Sequence, residues 1–142
     1  MLIRMLYVST AVGPITTTVT GTILRSAQAF NADHGITGVL CQGQGVYLQV
    51  LEGGRGEVNV LYARIAADRR HKNVQLMAFE DITRRRYGAW AMAHVDLTAA
   101  DALMALAASG SEFDPYAATG ERVMARIDAL LAAGKVMGAP VA

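Results

Sequence analysis

Three polar residues fall where the apolar pattern of the chain calls for core. In the run 46–52, strand alternation puts Tyr47, Gln49 and Leu51 on one face and Val46, Leu48 and Val50 on the other. If the first face is covered, an amide is buried, and leaving it unsatisfied costs about 1–3 kcal/mol, so Gln49 needs partners. The alternative is an edge position in contact with water. Tyr7 poses the same question. Arg4 is expected to point away from the core, which sends Ile3, Met5 and Tyr7 into it, and a buried phenol wants a hydrogen-bond partner. Asn31 lies on one helical stripe with Ile23, Ala27 and Phe30, or else caps its own helix end. Three polar groups aimed inward suit a polar ligand held between a sheet and helices.

Other chemistries lack their residues. His34, His71 and His94 are dispersed without metal-ligand spacing, so no metal site is expected. Gly53-Gly54-Arg55-Gly56 lacks the Lys-Ser/Thr of a phosphate loop. The single cysteine, Cys41, has no histidine beside it and reads as small core filler; alone it also excludes a disulfide framework. No carboxylate pair stands out for acid–base work. Catalysis of a substrate reaction finds no support, and the chain is not expected to be an enzyme.

The elements that position these residues follow from periodicity. Residues 2–8 form an apolar run suited to a buried strand. Gly13-Pro14 breaks it, and Thr16, Thr17 or Thr18 can cap a helix ending near Gly35, despite threonines that favour strand. Runs 36–41 and 46–52 flank Gly43-Gln44-Gly45, a hairpin signal. Val58, Leu61, Tyr62 and Ile65 repeat at helical spacing up to Asp68, and strands are expected over 74–79 and 89–95. This order matches an α+β, ferredoxin-like βαββαβ sandwich with an added fifth strand. Beyond Asp96 two helices are expected. One opens at Thr98-Ala99-Ala100-Asp101, and the other carries Val123, Ile127, Leu130 and Leu131 and closes at Gly134-Lys135. Residues 1–96 thus form one expected unit and 97–142 a helical extension, packed on the sheet or on a partner.

Composition bounds the rest. With 142 residues, 53% hydrophobic and 18% charged, the chain suits one folded domain. A net charge of +1 gives no global pull towards nucleic acid or an anionic membrane. Residues 5–24 are uncharged, but Gly13, Pro14, Gly21 and six threonines make the stretch unlike a lipid span. Lone Cys41 and a short, interrupted apolar start favour a reducing, cytoplasmic setting over secretion. Between residues 64 and 86, seven basic side chains (Arg64, Arg69, Arg70, Lys72, Arg84, Arg85, Arg86) face three acidic ones, a local net of +4. This segment supports a competing reading, a ferredoxin-like binding module for an anionic partner. No aromatic-rich sheet motif of the RNA-binding kind accompanies it.

Five segments occur together and in order: Leu6-Tyr7-Val8-Ser9; Phe30-Asn31 followed by Gly35-Ile36-Thr37-Gly38-Val39-Leu40; Val46-Tyr47-Leu48-Gln49-Val50-Leu51-Glu52-Gly53; Asp68-Arg69-Arg70-His71; and Arg85-Arg86-Tyr87 leading to Trp90-Ala91-Met92. Their combination resembles the BLUF family of flavin-binding blue-light sensor domains over residues 2–95. The resemblance implies a flavin between the first two helices, either FAD or, since the motifs do not separate them, FMN or riboflavin. Tyr7 matches the family's light-driven electron and proton donor, and Gln49 matches the glutamine that bridges it to the flavin and rotates or tautomerises. Asn31 matches the residue bonding the ring edge, and Ile23 and Ile65 those packing on its two faces. Asp68, Arg70 and His71 match the segment along the ribityl and phosphate end. Trp90 and Met92 match the fifth-strand pair linked to signal output.

Cys41-Gln42 departs from the family's aliphatic-aromatic pair, so Gln42 is expected to compete for or extend the hydrogen-bond network. The cysteine motif of light-oxygen-voltage sensors is absent, and Cys41 is not expected to react with flavin. The resemblance implies a short, stand-alone sensor that signals through a homo-oligomer or a separate, unidentified protein. The faces at Leu103/Leu106 and Val123/Ile127/Leu130 are the contact candidates.

Overall fold

The computed structural model of the protein describes residues 1–97 and 114–134. Its elements run β1 (Leu2–Ala11), α1 (Thr17–His34), β2 (Thr37–Gly43), β3 (Val46–Gly54), α2 (Arg55–Ala66), β4 (His71–Ile82), β5 (Ala93–Asp96) and α3 (Gly120–Ala132). One five-stranded sheet has the order β4-β1-β3-β2-β5. Every pairing is antiparallel except β2 with β5. This is the expected ferredoxin-like sandwich, with the fifth strand added beside β2.

The sheet has two covered faces, and strand alternation assigns the residues to them. Ile3, Met5, Tyr47 and Leu51 join a core under α1 and α2, packed against Ile23, Leu24, Ala27, Phe30, Tyr62 and Ile65. Leu6, Val8, Leu48 and Val50 join a second core, closed by Val123, Met124, Ile127 and Leu130 of α3. The expected last helix therefore packs on the sheet. The helix expected from Thr98 to about Gly110, with Leu103 and Leu106, lies outside the described residues.

Local chemistry sets the joints. Thr16 caps α1, its hydroxyl accepting from the Val19 N–H at 3.2 Å. Gly35 ends the helix at φ 65°, a left-handed conformation that glycine adopts without penalty. Gly38 is required by close approach, because a Cβ there would collide with the Val50 carbonyl. Gln44 and Gly45, both at positive φ, make the two-residue hairpin turn between β2 and β3.

Three expectations change. Arg4 does leave the α1/α2 face, but it enters the second core rather than solvent and is 6% exposed, bound by Glu52 at 2.7 Å and Glu80 at 2.8 Å. Strand β4 is twice the expected 74–79 run, since pairing with β1 carries the polar residues at both of its ends. The fifth strand starts at Ala93 rather than Ala89, so Trp90 and Met92 lie on the segment before it. The carbonyls of Ala91 and Met92 are taken there by side chains of α1, Asn31 at 2.8 Å and Gln28 at 3.2 Å.

Candidate functional site

A cavity of about 270 Å³ opens between the sheet and the pair α1/α2. Its floor is Tyr7 on β1, Leu40 on β2, and Tyr47 and Gln49 on β3; α1 supplies Ile23, Ser26, Ala27, Phe30 and Asn31. On the other side stand Leu61, Arg64 and Ile65 of α2, with Asp68, Arg70 and His71 beyond it. Tyr7, Ile23, Asn31, Gln49, Ile65, Asp68, Arg70 and His71, scattered through the sequence, are thus brought to one site. Ile23 and Ile65 face it from opposite helices.

At its floor the Tyr7 hydroxyl donates to Gln49 Oε1 at 2.5 Å. The two residues are direct cross-strand partners on the central strands β1 and β3, which fixes the pair rigidly and excludes the edge position for Gln49. The amide's other end, Nε2, donates only to the Met92 sulfur at 3.4 Å, a weak acceptor. Burial pushes the Tyr7 phenol far above its ordinary range, so it holds its proton. Asn31 is fully buried; its Nδ2 serves the Ala91 carbonyl, while its Oδ1 is buried with no partner. A buried carbonyl and a weakly used amide on one cavity wall want a ligand edge carrying both a donor and an acceptor.

The mouth is organised differently. Arg70 grips Asp68 through Nε, at 3.0 Å to each carboxylate oxygen, and this pairing holds the Asp68 carboxyl below its usual range. His71 Nε2–H donates to the Ile65 carbonyl at 2.5 Å, which leaves Nδ1 to accept from the Ser9 hydroxyl at 2.7 Å. Arg64 instead lies over the Phe30 ring, 4.9 Å from its centroid, and His34 stacks on that ring at 3.9 Å. Phe30, read from sequence as a member of the Asn31 stripe, and Arg64, read only as one of a basic run, are therefore site residues. Their signal was position: each neighbours a stripe residue, Asn31 or Ile65.

Of the remaining expected residues, Met92 touches Gln49 from beneath α1, whereas Trp90 is half-buried against the second core. Gln42 reaches neither Tyr7 nor Gln49; it meets His94 at 3.0 Å across the β2–β5 pair. Cys41 lies in the second core, on the opposite face from the cavity, with its thiol pushed up to about 12 by burial. The basic run 64–86 splits to the two ends of β4, a span of roughly 35–40 Å. At the far end Arg85 binds the Gly35 and Glu52 carbonyls and Arg86 binds Asp128. Among the described residues no His/Cys/Asp/Glu group suits a metal ion, and no helix is long and apolar enough to cross a membrane.

The fold and site define a class: a ferredoxin-like sandwich with a tyrosine–glutamine pair on the floor of a cavity between the sheet and two helices. The family of BLUF domains, sensors of blue-light using FAD, matches residues 2–93. The alpha subunit of photoactivated adenylate cyclase from Euglena gracilis is 39% identical over 87 residues, which is 61% of this chain and 8% of that protein. The chain spans about 8% of the length of these cyclase subunits. The solved structure of BlsA in its photo-activated state superposes with a TM-score of 0.81 at 25% identity, over 92% of this chain and 95% of that one. BlrB, a BLUF protein solved in its dark state, gives 0.75 at 27% identity, over 94% and 96%. The chain belongs to the BLUF family of flavin-binding blue-light sensor domains.

Proposed function

We propose that the protein is a blue-light photoreceptor whose switch is the Tyr7–Gln49 pair and whose chromophore is FAD. The observation that carries this reading is the 2.5 Å bond from the Tyr7 hydroxyl to Gln49 Oε1 beside a cavity bearing the orphaned Asn31 Oδ1. Asn31 and Gln49 would hold the ring edge, Ile23 and Ile65 its faces, and Arg64, Asp68, Arg70 and His71 the tail. The tail of a dinucleotide would run out along Arg64, Arg70 and His71 at the mouth, where the two guanidinium groups can meet its phosphates.

A flavin in this cavity supplies blue-light absorption and an electron-accepting ring. The chain would supply the donor: Tyr7, kept as a neutral phenol by burial, would give an electron and then its proton to that ring and recover both as the pair relaxes. Gln49 responds because its two ends are unequally held, one by a short bond to Tyr7 and the other by a sulfur. Rotation or tautomerisation of this amide changes which group it offers to the cavity and which to Met92. Residues 1–96 act as the sensor and 97–142 as the extension that reads it, in a homo-oligomer or with a separate protein, in a cytoplasmic setting.

The test is an absorption spectrum of purified protein before and after blue light, with extraction of the chromophore to identify it. Wild type should carry an FAD band that shifts red and relaxes in the dark; Gln49→Leu and Tyr7→Phe should bind flavin and lose the shift. A flavin band that never shifts in wild type leaves a flavoprotein without a switch. A colourless protein that no flavin reconstitutes overturns the reading.

A further inference from the structure

Resting on the photosensor reading, we propose that Tyr87 and Asp128 form the joint through which the state of Gln49 reaches α3. The segment between β4 and β5 is a strap fixed at both ends. At one end the fully buried Glu52 carboxylate accepts the N–H groups of Arg86 at 2.8 Å and Tyr87 at 2.7 Å, and is itself held by Arg4. At the other end Met92 takes the weak hydrogen bond of Gln49 through its sulfur. Trp90 lies between, its N–H donating to the Tyr87 carbonyl at 3.4 Å.

Tyr87 crosses from this strap to α3. Its ring is buried and its hydroxyl donates to Asp128 Oδ1 at 2.6 Å, while Arg86 reaches Oδ2 at 3.3 Å. Burial, with the Asp128 carboxylate beside it, pushes this phenol up, so it stays a donor. Among the described residues, these are the side-chain hydrogen bonds that tie α3 to the rest of the molecule. The other side-chain contacts of α3 are apolar, through Val123, Met124, Ile127 and Leu130, with Gly120 close against the Met77 carbonyl at the start of the helix, and non-directional contacts tolerate a small slide. A short bond to a carboxylate does not.

The mechanics follow from where the strap is held. Glu52 pins the backbone at residue 87 and makes it a pivot. A displacement of Met92, passed back through Trp90, turns the Tyr87 ring about that pivot, and the hydroxyl, farthest from it, moves most. The two-state element is the Gln49 amide, and α3 is the body whose seating it biases.

Hydrogen exchange measured on the flavin-loaded full chain, in the dark and under blue light, tests the joint in wild type, Tyr87→Phe and Asp128→Ala. The absorption shift is read in the same samples. Wild type is expected to show a light-minus-dark difference at the amides of α3; both variants keep the red shift and lose that difference. Merely structural loosening raises exchange equally in both states and leaves the difference intact. Tyr87→Phe retains the buried ring and Asp128→Ala truncates a partly exposed group, so either decides if the other fails to fold. A normal red shift with no α3 difference in wild type, or with the difference kept in a folded variant, overturns the joint alone. No red shift in wild type overturns the photosensor reading and the joint with it.

Discussion

On the α3 face of the sheet, a fully buried Glu52 accepts bonds from Arg4, Arg86 and Tyr87; on the α1/α2 face, three residues along the same strand, Gln49 is gripped at one end and loosely held at the other. Both are polar side chains of β3, buried to 0% and 4% exposure and sent to opposite faces by alternation. The difference lies in satisfaction. Glu52 has every partner it needs within the chain and so builds structure. Gln49, with Asn31 Oδ1 unpaired close by on the cavity wall, is left with bonding capacity that only a ligand completes. Along β3, then, the satisfied buried side chain belongs to the scaffold and the one left with spare capacity belongs to the site.

The comparison breaks most visibly at Glu52. Glu52→Ala leaves the Arg4 guanidinium buried with Glu80, itself half exposed, and the Arg84 carbonyl at 3.5 Å, and strips two backbone N–H groups of their acceptor. Removing one member of a buried pair costs about 3–5 kcal/mol, a large share of the stability of a domain this size. Urea unfolding should show that loss, with the strap and α3 exchanging freely. A loss below about 1 kcal/mol would mean that Glu52 is not the anchor its geometry makes it.

Asn31 stands between the two categories, one end satisfied and the other not. Asn31→Ala leaves the Ala91 carbonyl without its donor, a destabilisation of about 1–2 kcal/mol. It also removes the acceptor facing the cavity, which should weaken flavin binding about tenfold, equivalent to about 1.4 kcal/mol. Fluorescence titration with FAD checks the second effect separately from the first. Equal affinity in variant and wild type would assign Asn31 to the strap alone.

How much of this was legible without coordinates depended on range. Alternation within a strand is a local signal, and it placed Tyr7 and Gln49 on one face and Leu48 and Val50 on the other. Helical spacing did the same for Ile23, Ala27, Phe30 and Asn31. What stayed hidden was non-local. Nothing around Arg4 announces the carboxylates of Glu52 and Glu80, 48 and 76 residues away, so its burial was missed. The apolar pattern of 89–95 reads as strand, yet Gln28 and Asn31 of α1 take two of its carbonyls and hold Met92 ahead of β5. The ring of Phe30 and the guanidinium of Arg64 meet across two helices, a contact no single stretch of sequence encodes.

His94 offers the finest division, because its partner satisfies it without completing the pair. Gln42 meets His94 at 3.0 Å while Gln42 Oε1 is buried with no partner, on the same face as Gln49 but one strand further out. Burial lowers the His94 pKa from 6.5, and the negative charge of Asp96 offsets only part of that. The native state thus resists a proton that the unfolded chain accepts. Stability is fully present above pH 6.5, falls as pH drops through that value, and levels off below the lowered native one, where both states are protonated. Urea midpoints from about pH 7.5 down to about pH 5.5 should decline less steeply in His94→Gln than in wild type. Parallel slopes would show that His94 titrates as freely folded as unfolded, and the Gln42–His94 pair would then belong with the solvated surface rather than with the buried polarity of this face.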